Sequence, residues 1–333
     1  MKNRTKWAFR YVSLVLALLI CCGSLHMTGF ATEVTEPTEA VEATEPAPTE
    51  PVEEDAYPVD TESEVYKACA AVADSIDATQ ILVYDATADK MLYCKSVPGS
   101  KLYPASTTKL FSTYVALQHL DPDAVITAGD ELDMLKPGSS IAYIAKDHQL
   151  SVRMLVEGML LPSGNDAALV LAAAAGKTIA GDENLSGEEA VQVFVAEMNR
   201  MAEELGFEKS HFANPDGYHS GTHYTCVNDM ARIAKLALGN PIIAQYMATF
   251  EEDVVYASGH SNHWKNTNHL LDPESEFHHP GALGMKTGHT NQAGYCLMSN
   301  FRLHGHTIVI GVFGYPKTEA RFLDVVKLMK ACA

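Results

Sequence analysis

Three short stretches of this 333-residue chain hold side chains whose types and spacing suit nucleophilic catalysis. Tyr103-Pro-Ala-Ser-Thr-Thr-Lys109 sets a serine and a lysine three residues apart. On a helix those positions share a face, so the Lys109 amine can reach the Ser106 hydroxyl and take its proton. A helix start there also aims backbone N–H groups at a developing negative charge. Leu161-Pro-Ser-Gly-Asn165 puts Ser163 and Asn165 in a polar hairpin between apolar segments. Gly284-Met-Lys-Thr-Gly-His-Thr290 puts Lys286, Thr287, Gly288 and His289 on an expected strand. Each stretch also has a plain structural reading: a solvated serine and lysine, a helix N-cap, an edge strand guarded by a lysine. But S-x-x-K, S-x-N and K-T-G each occur once, in this order. The trio points to one composite site.

The elements that must position these residues follow from hydrophobic periodicity. A helix is expected over Glu64–Asp74, a strand over Thr79–Asp85 and its antiparallel partner over Met91–Lys95. An extended stretch, Val97–Pro104, leads into a helical pattern from Ser106 to Leu120, with Leu110, Tyr114 and Leu117 on one face. Leu155–Leu161 and Asp166–Ala175 read as apolar helices, Gly187–Leu205 as an amphipathic one and Asn228–Leu238 as another. The polar, histidine-rich segment Val254–His279 fits no element. Gly284–Thr290, Gly294–Arg302 and His306–Gly314 read as adjoining strands, and Glu319–Met329 as a closing helix. Strands at both ends with helices between predict an α+β fold: an antiparallel sheet flanked by helices, with a helical subdomain.

Charge divides the chain into three pieces. There are 24 Lys+Arg against 42 Asp+Glu, a net −18, which argues against a nucleic-acid partner because phosphate binding needs a basic face. Residues 1–31 hold four basic residues and no acid, followed by an apolar run from Val12 to Cys22 and small residues at Gly29 and Ala31. This is the pattern of an export signal, with a mature start near Thr32. The alternative is an uncleaved anchor, the only membrane contact expected; the apolar run is about half of the roughly 20 residues a span needs. Residues 32–63 repeat Thr-Glu-Pro with Ala and Val, too polar and too self-repelling to fold, and read as an acidic stalk. Residues 64–333 form the expected folded domain. Extracytoplasmic placement, secreted or at the cell envelope, follows from the signal.

Cysteines and histidines add no further chemistry. Five cysteines follow the signal, an odd number at wide, irregular spacing, so no disulfide framework is expected and the fold should not depend on them. The fourteen histidines include His219 and His223 at i,i+4 spacing, but the Ser-Gly-Thr between them reads as a loop, and no H-E-x-x-H is present. Surface or cleft-rim positions are expected for them, with no metal site.

Taken with their surroundings, these motifs are similar to those of the penicillin-recognising serine enzymes, for which the order S-x-x-K, S-x-N, K-T-G is a known signature. YPASTTKLFSTYVAL, MLLPSGNDAALVLA, FANPDGYHSGTHYT and GMKTGHTNQAGYCL resemble the low-molecular-mass serine D-alanyl-D-alanine carboxypeptidases, peptidase family S11. The resemblance runs from about residue 64 to the end. It implies a β-lactamase/DD-peptidase-like fold, no cofactor, bacterial peptidoglycan stem peptides ending in D-Ala-D-Ala as substrate, and β-lactams as covalent inhibitors. It further implies Ser106 as nucleophile, Lys109 as its base, made neutral by burial beside the Lys286 cation, and Ser163 as proton relay. Asn165 would hold Lys109 and the substrate amide, Lys286 and Thr287 the terminal carboxylate. Gly288 would leave room for substrate, and the N–H groups of Ser106 and His289 would form the oxyanion hole. Three features depart from the family pattern. Trp264-Lys-Asn-Thr-Asn268 lacks the arginine that some relatives carry before K-T-G. Gly181–Gly187 and Ser258–His279 read as insertions near the site. The sequence ends at Ala333, after the last expected helix, so positioning is expected to fall to the stalk. Three rivals stand beside this reading: a β-lactamase, which Glu183 and Glu188 fit poorly because they lack an E-x-x-L-N setting; a D,D-endopeptidase acting on cross-links; and a catalytically silent wall-binding or β-lactam-sensing module.

Overall fold

The computed structural model describes residues 57–333 apart from 97–100, 208 and 318, all within one compact unit, Glu53–Ala333. The readings placed on residues 1–31 and on 32–56 lie outside the described residues.

The fold is sewn together from its two ends. Helix α1 (Glu64–Ala73), N-capped by Ser63, precedes the hairpin β1 (Gln80–Asp85) and β2 (Lys90–Lys95). Asp85 turns that hairpin by accepting hydrogen bonds from the N–H groups of Thr87 and Ala88. Strands β7 (Ala282–Thr290), β8 (Gly294–Leu303) and β9 (His306–Tyr315) follow 187 residues after the end of β2, and the sheet order is β2-β1-β9-β8-β7, antiparallel throughout. β1 pairs with β9 from Gln80↔Phe313 to Asp85↔Ile308, so the first and last strands lie side by side.

All six residues of β1 are buried because both sheet faces are covered. Ile81 and Val83 point to one face, where they join Ile308, Ile310, Leu297 and the helices α1 and α8 (Ala320–Ala331) in one apolar cluster. Leu82 and Tyr84 point to the other, into a larger cluster with Phe111, Leu155, Val170 and Phe194 of the helical region. The period of two along the strand separates the two cores.

That helical region contains α2 (Lys109–Ala116), α3 (Val152–Leu160), α4 (Asn165–Ala180), α5 (Gly187–Glu204), α6 (Val227–Gly239) and α7 (Pro241–Ala248). α4 is buried around most of its circumference, which explains its nearly all-apolar sequence. α5 begins with a full capping box between Ser186 and Glu189. Two small hairpins complete the fold: β3 (Val125–Thr127) with β4 (Gln149–Ser151), and β5 (Glu251–Val255) with β6 (Ser261–Lys265).

The α+β architecture is the one expected, and the differences are local. The helix expected from Ser106 to Leu120 is split, with a 3-10 turn over Ala105–Thr108 and α2 ending at Ala116. α7 and the β5–β6 hairpin were not anticipated, since α7 is short and the hairpin is polar on one face. The folded part also reaches back to Tyr57, before the boundary drawn at residue 64. The Tyr57 ring meets Tyr84 edge-on at 5.5 Å, and its hydroxyl donates to Asp89. Among the described residues, no helix is long and apolar enough to cross a membrane.

Candidate active site

The turn that carries Ser106, the expected nucleophile, is built by its own hydroxyls. Thr107 Oγ1 donates to the Pro104 carbonyl at 2.7 Å and Thr108 Oγ1 to the Ala105 carbonyl at 2.8 Å. Between them Ala105 takes φ +49°, a left-handed conformation that costs a residue with a Cβ roughly 1–3 kcal/mol. The surroundings hold it there. His223, buried in the loop after α5, accepts from the Ala213 N–H at Nδ1, which leaves Nε2 to donate to Thr108 Oγ1 at 2.8 Å. Burial pushes the His223 pKa down to about 3, so the ring is neutral. Gly217 presses on the same turn; a Cβ there would lie 1.9 Å from the Ala105 carbonyl oxygen.

This turn presents Ser106, half-buried, one helical turn from Lys109 at the start of α2. Lys109 is fully buried. Its Nζ donates to Ser106 Oγ at 2.9 Å, Asn165 Oδ1 at 2.7 Å and the Asp216 carbonyl at 2.8 Å. Burial lowers the Lys109 pKa to about 8, against the opposing pull of the Asp216 and Asp166 carboxyls. The lowering expected from sequence is present, and burial is its first cause.

Asn165 opens α4 and ties Lys109 to the opposite wall. Its Nδ2 donates to Ser139 Oγ at 3.0 Å and its backbone N–H to the Ser140 carbonyl. The next residue, Asp166, accepts from the N–H groups of Ala142 and Ile144 and so holds that wall in place. Ser163 lies in the tight turn before α4 at φ +65°, buried, with no hydrogen bond from its Oγ to a described residue.

Strand β7 forms the other side. Lys286 is fully buried, and its Nζ has one acceptor, the Thr287 carbonyl at 3.2 Å. Its pKa lies well below the ordinary lysine value, through burial first and then through the positive charges of Lys109 and Arg321. Thr287 Oγ1 meets Thr267 Oγ1 at 2.5 Å. Gly288 carries no side chain because the nucleophile turn is packed against it: a Cβ would sit 3.0 Å from the Pro104 oxygen and the Ser106 nitrogen. Beside the room for substrate expected of it, Gly288 thus accommodates the turn that carries Ser106. His289 is exposed and stacks on Tyr295 at 4.0 Å. A cleft of about 530 Å³ separates the two sides, and its lining includes Ser106, Ser139, Asn165, Tyr218, His219 and His289.

Comparison with known proteins decides the family at this point. A family model described as D-alanyl-D-alanine carboxypeptidase, peptidase family S11, matches residues 67–316. The chain belongs to that family. It is 32% identical over 252 residues to the D-alanyl-D-alanine carboxypeptidase of Streptomyces sp. strain K15, covering 72% of this chain and 81% of that protein. It is 30% identical over 260 residues to the D-alanyl-D-alanine carboxypeptidase DacF of Bacillus subtilis, covering 76% of this chain. The match spans only 61% of the Bacillus protein's length. The crystal structure of the Streptomyces K15 DD-transpeptidase superposes with a TM-score of 0.68 at 29% identity, over 77% of this chain and 97% of that one. The β-lactamase/DD-peptidase fold expected from the motifs is thus the fold of this chain.

Sequence reasoning left several residues of the S11 site unassigned. The Asp216 backbone carbonyl accepts from Lys109 and, at 3.4 Å, from Ser106, a role no side-chain motif announces. His223 was expected at the surface or the cleft rim, yet it is buried under the nucleophile turn; the T-H-Y setting gives no sign of that. His219 does lie at the rim, edge-on to Tyr103 at 5.0 Å. An arginine does pack against the K-T-G strand, from another element. Arg321, in the first turn of α8, is buried, and its Nη1 donates to the carbonyls of Cys296 at 2.9 Å and Gly288 at 3.3 Å. Its Nε is buried without a partner. Neither segment read as an insertion, Gly181–Gly187 or Ser258–His279, contributes to the cleft lining. Among the described residues, no group of three or more His, Cys, Asp or Glu side chains is arranged to hold a metal.

Proposed function

We propose that the chain is a serine-type D-alanyl-D-alanine carboxypeptidase that removes the terminal D-Ala from peptidoglycan stem peptides. The observation that carries this reading is a fully buried lysine amine 2.9 Å from the serine hydroxyl, with its pKa lowered to about 8. Near neutral pH a useful fraction of Lys109 is unprotonated and can take the Ser106 proton as Oγ attacks the carbonyl carbon of the penultimate D-Ala. The N–H groups of Ser106 and His289 receive the oxyanion. As the tetrahedral intermediate collapses, the C–N bond breaks and the leaving amine takes up a proton through Ser163, whose Oγ is free to turn. Water then hydrolyses the acyl-enzyme, with Lys109 again accepting the proton. Lys286 and Thr287 bind the free carboxylate of the substrate, which restricts the reaction to chain ends. A β-lactam presents an acyl carbonyl and a carboxylate to the same groups and acylates Ser106.

No Asp or Glu is among the cleft-lining residues, so the deacylating carboxylate of a class A β-lactamase has no counterpart there. Glu183 and Glu188 are exposed. The reading extends to the whole chain: residues 1–31 direct export, 32–63 form a stalk, and the enzyme works at the cell envelope.

D-alanine release from a synthetic peptide ending in D-Ala-D-Ala tests the proposal, using the full chain and its Ser106→Ala variant. Release by the first and none by the second is expected. Folded protein that is acylated by penicillin yet releases no D-alanine contradicts the carboxypeptidase reading; rapid penicillin turnover moves it to a β-lactamase.

A further inference from the structure

Helices α1 and α8, the first and last of the fold, share one sheet face and one apolar cluster. Their packing brings two cysteines together from opposite ends of the sequence. Cys69, in the middle of α1, is fully buried; Cys332 caps α8 and is partly exposed. The sulfurs lie 3.8 Å apart across a sequence separation of 263 residues. A disulfide requires about 2.05 Å. The remaining approach of under about 2 Å lies within a side-chain rotation at Cys332, beyond the last helical turn.

We propose that Cys69 and Cys332 form a disulfide that staples α8 to α1 once the protein meets an oxidising compartment. The reaction is a thiol–disulfide exchange. The two thiols lose two protons and two electrons to an acceptor disulfide, of a small molecule or an exchange protein, which leaves as two thiols. Cys332 is the accessible sulfur and forms the mixed disulfide first; Cys69 then displaces the acceptor's second thiol. Cys296, by contrast, is fully buried in β8 beside the Tyr103 carbonyl and out of reach of an acceptor.

Two consequences follow. The closed loop encloses nearly the whole described domain, and long loops are those in which a cross-link removes most freedom from the unfolded chain. The helix so held is also the one that delivers Arg321 to the Gly288 carbonyl behind the K-T-G strand. The staple thus guards the carboxylate side of the cleft, and for this pair the proposal departs from the expectation that the fold is independent of its cysteines.

The proposal goes beyond the catalytic reading and is tested without relying on it or on export. Purified full chain is equilibrated in mixtures of reduced and oxidised glutathione, quenched in acid, alkylated and mapped by mass spectrometry without reduction. A linked peptide pair containing Cys69 and Cys332 is expected, lighter by two hydrogens than the two thiol peptides together. The oxidised protein should melt about 5 °C above the reduced one. Cys332→Ser should melt with the reduced protein and ignore the reductant. Absence of the linked pair from oxidised, folded protein, or a melting temperature indifferent to reductant, overturns the proposal. The wild-type comparison stands even if a cysteine variant fails to fold.

Discussion

The two sides of the cleft are built on opposite principles. On the turn side the groups around Ser106 are tied down: Lys109 has three acceptors within 3 Å, and Thr107, Thr108 and His223 hold the backbone that carries Ser106. On the strand side donors are left over. Lys286 has one acceptor at 3.2 Å, and the Arg321 Nε is buried without one. Buried basic groups with so few acceptors are unfavourable in their charged forms, because burial penalises charge and the charges repel, and both pKa values are lowered accordingly. In the proposed reaction an arriving carboxylate would ease the penalty at Lys286. On that reading the turn side is finished before substrate binds and handles protons, while the strand side is completed by the anion.

Substitutions should break this contrast in order of size. Ser106→Ala abolishes acylation, read as loss of covalent labelling by a penicillin. Lys109→Met lowers kcat/KM by about 10³-fold or more, in the upper range for loss of a general base, with little change in binding of a non-reacting substrate analogue. Lys286→Met acts on the other side: loss of a hydrogen bond to a charged partner predicts roughly 10–100-fold in kcat/KM, concentrated in KM. Thr267→Val removes the hydroxyl that holds Thr287 and should cost about tenfold or less. The pH profile separates the sides as well. Lys109 must be neutral to act, so acylation should climb with pH until it levels off near the lowered lysine pKa of about 8.

His223 gives a stability test of the turn side. Its pKa falls from 6.5 to about 3 on folding, so the unfolded chain binds the proton more readily. The contribution is intact above pH 6.5 and is lost as pH falls below it, by about 2 kcal/mol at pH 5. Between pH 7 and pH 5, urea unfolding should show a change in stability less favourable in the wild type than in His223→Gln by about that amount. Taking the difference removes the opposing contribution of buried Glu157, whose pKa burial raises to about 7.

How much of this was legible in the sequence follows the same division. Strands β1, β7, β8 and β9 could be read because period-two burial and turn residues are local signals, and the site side chains because their spacing is local too. The buried setting of Lys109 could be inferred only through family resemblance. What escaped depends on contacts between distant segments: His223 beneath a turn more than a hundred residues earlier, the Asp216 carbonyl, and Arg321 arriving from α8. A backbone carbonyl has no residue type to betray it. The 3-10 turn at Ala105–Thr108 escaped for a related reason, since Ala105 is forced left-handed by Gly217 and Thr108 and not by its own preference.

The account stands on the claim that the strand side is completed by the substrate's carboxylate. The most direct test compares two peptides, one ending in free D-Ala-D-Ala and one with its terminal carboxylate converted to an amide, on the wild type, Lys286→Met and Lys109→Met. Wild type should prefer the free acid by about 10–100-fold, Lys286→Met should lose that preference, and Lys109→Met should be slow on both yet keep it. A Lys286→Met enzyme that still prefers the free acid as strongly as the wild type would contradict the account.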